Sequence, residues 1–447
     1  MMPILSSRIS LWFFIVPAWL AAPVWACGEE AIRLQEAFPP GYQYHVSSRV
    51  ELTGTMTLPE EKGQATAKTL AVTGTSAIEY DERILDTAAD GQVQKTLRIF
   101  RRIDLQRRVG DRPQESTIRP VVRRMVVLRL HQAEVPFSPD GPLTWGEIDL
   151  VRTDVFTPAL AGLLPAKPVR PGERWTAEKS AIQELTDMEH IDDGHVECRF
   201  EQITTLSRRR HARIAFSGTV RGINEDGPNR QELDGYLFFD LESNHVSYLS
   251  LKGISWLLDK DGKALGRIEG QFVLTRQAHT HAADLRNEAL TGAVLEANAE
   301  NTRLLYENHE LGVRFLYPRR WHVAGVHGRQ IALDEANGSG LLLTLESAAQ
   351  VPSGEQFLAE SKNFLQQQKA KVLRADPPRR IQVAPQELAH FGLEAEVNGQ
   401  RVWMDYYVIR QGAGGGTLAA RLLPSDLPAL QKEVEQIARS VVVEKQR

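Results

Sequence analysis

The side chains able to do covalent or coordination chemistry are few in this chain and badly spaced for it. His309-Glu310 opens like the zinc-binding helix of a metalloprotease, but Val313 stands where the second histidine is needed. His279 and His281 can reach one metal ion from a single strand face, yet they bring no third ligand. His190 and His195, flanking Asp192-Asp193-Gly194, share that deficit. Gly338-Ser339-Gly340 lacks the spacing of a nucleophile elbow, and Gly412 to Gly416 lacks the Lys-Ser/Thr that completes a phosphate-binding loop. In Asp259-x-Asp261-Gly262 the glycine comes too early for a calcium loop. Glu147 and Asp149, read as sharing a strand face, alternate as paired catalytic carboxylates would, and equally as a solvated edge would. No triad and no metal set can be assembled, so the expectation is a protein that is not an enzyme and carries no cofactor and no metal.

Arginine is the exception to this sparseness. Arg98, Arg101, Arg102, Arg107, Arg108, Arg112, Arg119, Arg123, Arg124 and Arg129 crowd one stretch against only Asp104, Asp111 and Glu115. On adjacent antiparallel strands they would form a basic face, with Arg98, Arg102, Arg108 and Arg124 projecting to solvent. Guanidinium binds phosphate and carboxylate bidentately, so the matching partner is an anionic lipid, a glycan or an acidic protein. The alternative is a solvated face balanced by Glu147, Asp149 and Asp154. Nucleic acid does not fit, because no exposed aromatics interleave the basic residues.

The N-terminus supplies an address. Arg8, the apolar run Leu11 to Leu20 and the small-residue approach to Ala26 read as an export signal over residues 1–26, too short to span a bilayer. Cys27 would then begin the mature chain, with residues 27–40 as a tether. Val24-Trp25-Ala26-Cys27 resembles a bacterial lipobox, in which the cysteine is acylated and holds the protein on a membrane surface; Trp25 departs from that pattern. The other reading leaves Cys27 free or in a disulfide with Cys198, its one companion in the chain. Either way the expected location is the periplasm or cell envelope.

The elements that must position these residues are mostly strands. The chain has 447 residues, 42% hydrophobic and 25% charged, with a net charge of −4, which points to an ordinary globular protein of two or three domains. No apolar run after Leu20 reaches membrane-spanning length. From residue 41 to 278 the pattern has period two. Val196, Cys198 and Phe200 share one face, as do Ile214 and Phe216, while Leu237, Phe239 and Leu241 run into the turn Glu242-Ser243-Asn244 before Val246 and Tyr248 return. One apolar face per strand predicts a curved, half-barrel-like antiparallel sheet. If that curve encloses an apolar ligand, Leu237, Phe239, Leu241, Tyr248 and Trp256 would line it; otherwise they fill a core. The only helix expected inside the region is short, about 156–163, followed by a Pro/Gly-punctuated crossing to Trp175. Residues 279–303 are Ala-rich and proline-free, with Leu285, Ala289, Val294 and Ala297 near one face, which predicts a helical linker.

Residues 304–447 follow another order. Val313, Phe315 and Tyr317 alternate into Pro318 and Trp321, and strands at 330–333 and 341–345 come before a helix capped by Ser353 and Gln356. Two strands joined by Asn398-Gly399 and one through 418–423 lead to a last helix bearing Leu427, Leu430, Val434, Ile437 and Val441. The result is an α+β sandwich. Tyr306-Glu307-Asn308, Leu311-Gly312-Val313-Arg314-Phe315, Tyr317-Pro318-Arg319-Arg320-Trp321 and Ile437-Ala438-Arg439-Ser440-Val441 resemble the PsbP-like fold, which DcrB-like envelope lipoproteins share. The N-terminal domain is similar in outline to LolA/LppX-like curved-sheet carriers. These resemblances imply folds rather than activities. The function expected is therefore non-catalytic binding or scaffolding in the cell envelope. The alternative is a carrier of a lipid or other apolar ligand, and a hydrolase with an unrecognised site comes third.

Overall fold

The computed structural model describes residues 30–57, 68–130, 133–383 and 386–444; the export segment and Cys27 lie outside the described residues. The N-terminal elements are β1 (Gln43–Thr57), β2 (Thr69–Thr87), β3 (Val93–Val109), β4 (Arg112–Thr117), β5 (Arg124–Leu130), β6 (Ala133–Phe137), α1 (Trp145–Arg152), β7 (Arg174–Thr176), α2 (Lys179–Thr186), β8 (His190–Leu206), β9 (Arg209–Asn224), β10 (Gly227–Asp240), β11 (His245–Leu258) and β12 (Ala264–Ala278). Among the described residues these strands form one 12-stranded sheet in the order β6-β5-β3-β2-β1-β12-β11-β10-β9-β8-β7, with β4 on β3. Every pairing is antiparallel, so the period-two pattern sends Tyr44 and Val46, Ile78, Leu237 and Phe239, and Leu249 to one buried face. Strands this long twist and approach one another closely. At Gly218 a Cβ would lie 2.1 Å from the His195 carbonyl oxygen, so no side chain fits there.

The core face is covered by α1, a 3₁₀ turn over Thr157–Leu163, α2 and the N-terminal segment. The expected tether at 27–40 is thus corrected from Ile32 onward. Ile32 bridges Val169, Leu34 and Phe38 enter the core, and Glu36 forms a buried ion pair with Arg276. Apolar burial outweighs the freedom that a tether would retain. The expected helix over 279–303 is also absent; the segment makes two 3₁₀ turns, Ala283–Leu285 and Glu288–Leu290. Leu285, Leu290 and Leu295 dock separately against Leu97, Ile99, Val126 and Phe137, and Arg83 Nη1 donates to the Leu285 carbonyl at 2.7 Å. These contacts override weak helix propensity in a stretch that contains Asn287, Thr291 and Gly292.

The C-terminal elements are β13 (Leu304–Asn308), β14 (Val313–Tyr317), β15 (Trp321–His327), β16 (Gln330–Glu335), β17 (Gly340–Glu346), α3 (Gly354–Gln367), β18 (Lys371–Ala375), β19 (Arg379–Val383), β20 (Gln386–Val397), β21 (Gln400–Gln411), β22 (Gly414–Leu422), α4 (Leu427–Ser440) and β23 (Val442–Val443). Among the described residues they build a small sheet, β13-β14-β23, and a larger one, β15-β16-β17-β22-β21-β20-β18 with β19 on β20. The Ser353 hydroxyl accepts from Gln356 N at 3.1 Å and starts α3, while Leu430, Val434 and Ile437 of α4 close on the sheets. The protein is mainly antiparallel β in a two-domain arrangement, and one apolar core runs across the seam.

A candidate binding cleft at the domain seam

The seam is made locally on one side by a helix start. Thr144 Oγ1 accepts from Glu147 N at 3.2 Å, and Glu147 Oε2 accepts from Thr144 N at 2.8 Å, a reciprocal cap that turns the chain into α1. Arg119 adds Nε and Nη2 contacts to the same carboxylate at 2.8 and 2.7 Å. Burial alone would raise the Glu147 pKa, but hydrogen bonds from Arg119 and the backbone outweigh it and hold the group below the usual carboxylate range. Glu147 and Asp149 therefore belong to a helix and not to the expected strand face; Glu147 is structural and Asp149 is exposed.

Trp145, the first residue of α1, keeps 39% of its surface exposed. Its ring meets His322 edge-on at 5.7 Å, and the Arg152 guanidinium lies 5.9 Å from its centroid. Opposite stands β13, joined to the first domain by a parallel bridge between Leu143 and Leu304. Tyr306 stacks on Phe315 at 4.9 Å, and Trp321, fully buried, donates from Nε1 to Glu433 Oε2 of α4 at 2.8 Å. Burial, with Tyr306 and Asp149 nearby, pushes the Tyr317 hydroxyl up to about 12. Together Thr144, Trp145, Tyr306, Tyr317, Trp321 and His322 line much of a cleft of about 430 Å³. Trp145 is exposed and Tyr306 half-buried at its wall, while Tyr317 and Trp321 are buried behind them, and a few polar groups stand at its edge, a composition suited to binding. Among the described residues no three His, Cys, Asp or Glu side chains converge as a metal set.

A second concavity of about 770 Å³ crosses β4, β3, β2, β1, β12 and β11. Its lining is mixed, with Leu52, Ile254 and three glycines standing among Glu51, Thr75, Arg108, Lys252 and Glu269.

The four arginines expected on one basic face are dispersed. Arg98 is in the core, where Nε meets Glu82 at 2.7 Å and Nη1 meets Asp154 at 3.0 Å, both acids being fully buried at the side chain. A bulge at Arg101, where Glu79 pairs Arg102 and Tyr80 pairs Phe100, reverses the inward face of β3 and carries Arg98 inside. Arg102 is exposed and paired with Asp104 at 2.6 Å. Arg124 is held by Asp140 and by the Ala289 carbonyl. Arg108 lines the second concavity. Asp154, expected as a surface counter-charge, is likewise internal.

The expected apolar-ligand set divides too. Leu237 and Phe239 are packed core, with Leu241 against its margin. Tyr248 pairs Phe238 and Trp256 pairs Arg230, which places both on the opposite face, where the Arg230 guanidinium lies 4.6 Å from the Trp256 centroid. Cys198 is a buried thiol on β8 with no disulfide partner among the described residues, pushed up to about 12 by burial.

No protein-family model matches the chain, and no curated protein matches it. Among solved structures, cyanobacterial PsbP (CyanoP) from Synechocystis sp. PCC 6803 aligns at 12% identity over 32% of this chain and 92% of its own, with a TM-score of 0.26. Lipovitellin aligns at 10% identity over 55% of this chain and 26% of its own, with a TM-score of 0.31. MucB in complex with MucA(peri) aligns at 13% identity over 91% of this chain and 94% of its own, with a TM-score of 0.17. At these values the likeness is a vague one of fold, and no named relative defines a function.

Proposed function

We propose that the protein is a non-catalytic binding protein of the cell envelope, exported through residues 1–26, with its recognition site in the aromatic cleft between α1 and β13–β15. The observation that supports this most is Trp145, a large aromatic left exposed beside Tyr306, Tyr317 and Trp321 at a domain seam. Ligand sites favour such seams, and Trp and Tyr dominate binding energy. Anchoring at Cys27 belongs to the same proposal, and Cys27→Ser should release the protein from membranes if it holds. The cleft is tested by native mass spectrometry of protein purified from its host. A bound species kept by the full chain and lost in Trp145→Ala, with an unchanged Tm, supports the reading. Equal retention by both overturns it.

A carrier reading has one observation of its own. On the core face, in step with Val46, the residues Val50, Leu52, Met56 and Ile268 are only partly buried and lie outside the packed clusters. A copurified acyl lipid whose retention needs Leu52 and not Trp145 would favour this face over the seam.

A further inference from the structure

One side of β13 pairs with β14, and the other is only partly used. In this antiparallel pair Leu305 faces Leu316 and Glu307 faces Arg314. Leu316 exchanges its own N–H and C=O with Ser440 Oγ at 2.9 and 3.1 Å, so the backbone of Leu305 and Glu307 must point away from β14. Leu305 N–H donates to the Leu143 carbonyl at 2.7 Å. The chain then turns aside at Thr144, the cap of α1. Beyond that point the N–H and C=O of Glu307 have no partner among the described residues, and Leu305 to Glu307 form a wall of the aromatic cleft.

We infer that the occupant of the cleft is an extended polypeptide strand that adds to the free edge of β13 and carries a basic side chain beside Glu307. This rests on the cleft being the binding site. An unpaired donor and acceptor at strand spacing are complementary to another strand's backbone, and alternate side chains of an added strand supply specificity. Trp145 offers an aromatic face to one such side chain. The charge requirement follows from the acids present. Among the described residues Glu307, 27% exposed, has only His309 within ion-pair reach, at 3.9 Å. Asp149 on α1 is exposed and forms no ion pair among the described residues. Of the neighbouring cations, Arg119 is engaged by Glu147 and Arg152 by Glu225, while Arg314, across from Glu307 on β14, is exposed and reaches Glu444 at 3.9 Å. A cation on the added strand would meet the Glu307 carboxylate from the open side of β13, across from Arg314 on β14.

The test uses the full chain and three fluorescein-labelled octapeptides read by fluorescence anisotropy: KYKVKYKV, its glutamate counterpart EYEVEYEV, and KYKVKYKV N-methylated on alternate amides. The lysine peptide should bind, with the other two weaker by roughly tenfold or more, as expected for lost ion pairs and backbone hydrogen bonds. Glu307→Pro removes the edge N–H at a position where proline is tolerated, and it should weaken the lysine peptide by a similar factor while Tm holds. Glu307→Gln should erase the preference for lysine over glutamate and keep the sensitivity to N-methylation. Equal binding of the methylated and unmethylated peptides overturns strand addition, as does the absence of saturable binding by all three. If Trp145→Ala still releases a copurified ligand in that case, the cleft stands and only the ligand class falls. If Trp145→Ala changes neither readout, both fall.

Discussion

Arg98 and Arg102 lie on the same strand, and the same substitution should separate them sharply. The Arg98 side chain is 1% exposed and pairs with Glu82 and Asp154, which have no access to water at their side chains. Its guanidinium also lies 4.6 Å from the Tyr80 centroid, and Tyr44 donates its hydroxyl to Glu82. Arg98→Gln leaves two buried carboxyl groups without a counter-charge, and breaking such a pair from one side costs about 3–5 kcal/mol. Arg102 is 55% exposed and its partner Asp104 is 46% exposed, so Arg102→Gln should cost about 0–1 kcal/mol. Urea unfolding followed by tryptophan fluorescence measures both, and the midpoint should fall steeply for Arg98→Gln with little change in slope. The deficit should shrink in the combined variant Arg98→Met, Glu82→Gln, Asp154→Asn. An Arg98→Gln protein within about 1 kcal/mol of the parent would refute the claim that this arginine is internal and charge-compensating.

Three further outcomes follow from buried groups. Burial outweighs Arg276 and Arg98 and pushes Glu36 and Asp154 up to about 7 each, so the folded state holds protons that the unfolded state lacks. Their contribution is largest below the ordinary carboxylate values of 4.5 and 3.8 and is lost as pH rises through about 7. His245, held down to about 4 by burial and then by Arg276, opposes this only below its ordinary 6.5. Calorimetry should therefore show a higher Tm at pH 6.5 than at about pH 8, flattened in Glu36→Gln/Asp154→Asn; a flat or falling parent Tm contradicts the assignment. The Cys198 thiol should resist iodoacetamide in the native protein and react once urea unfolds it, and rapid native labelling at that peptide would place it outside the core. Gly218→Ala should cost about 1–3 kcal/mol or more, because its Cβ would overlap the His195 carbonyl; a neutral effect on the unfolding midpoint would mean that β8 and β9 are not so close.

The aromatic frame of the cleft was partly visible in the sequence, since Tyr306, Tyr317 and Trp321 belong to the pattern that resembles the PsbP-like fold. Trp145 was not. The run Ile148-Asp149-Leu150 has strand-like alternation, and only the Thr144–Glu147 cap and Arg119 on the carboxylate make it a helix. The arginine face failed for a related reason. Alternation on β3 places Arg98 outside unless the bulge at Arg101 is known, and the bulge exists only in the pairing with β2.

Features set by near neighbours in the chain were legible before folding was known. The period-two faces of β8 to β12, the Ser353 cap of α3 and the Asn398-Gly399 hairpin, both of whose residues have positive φ, depend on contacts a few positions apart. Long-range packing set which charges are buried, which of the 279–303 side chains dock, and that α1 and β13 meet. These outcomes depend on which distant strands become adjacent. A buried carboxylate acquires its counter-charge, and a β-edge is left open, only after that adjacency is set.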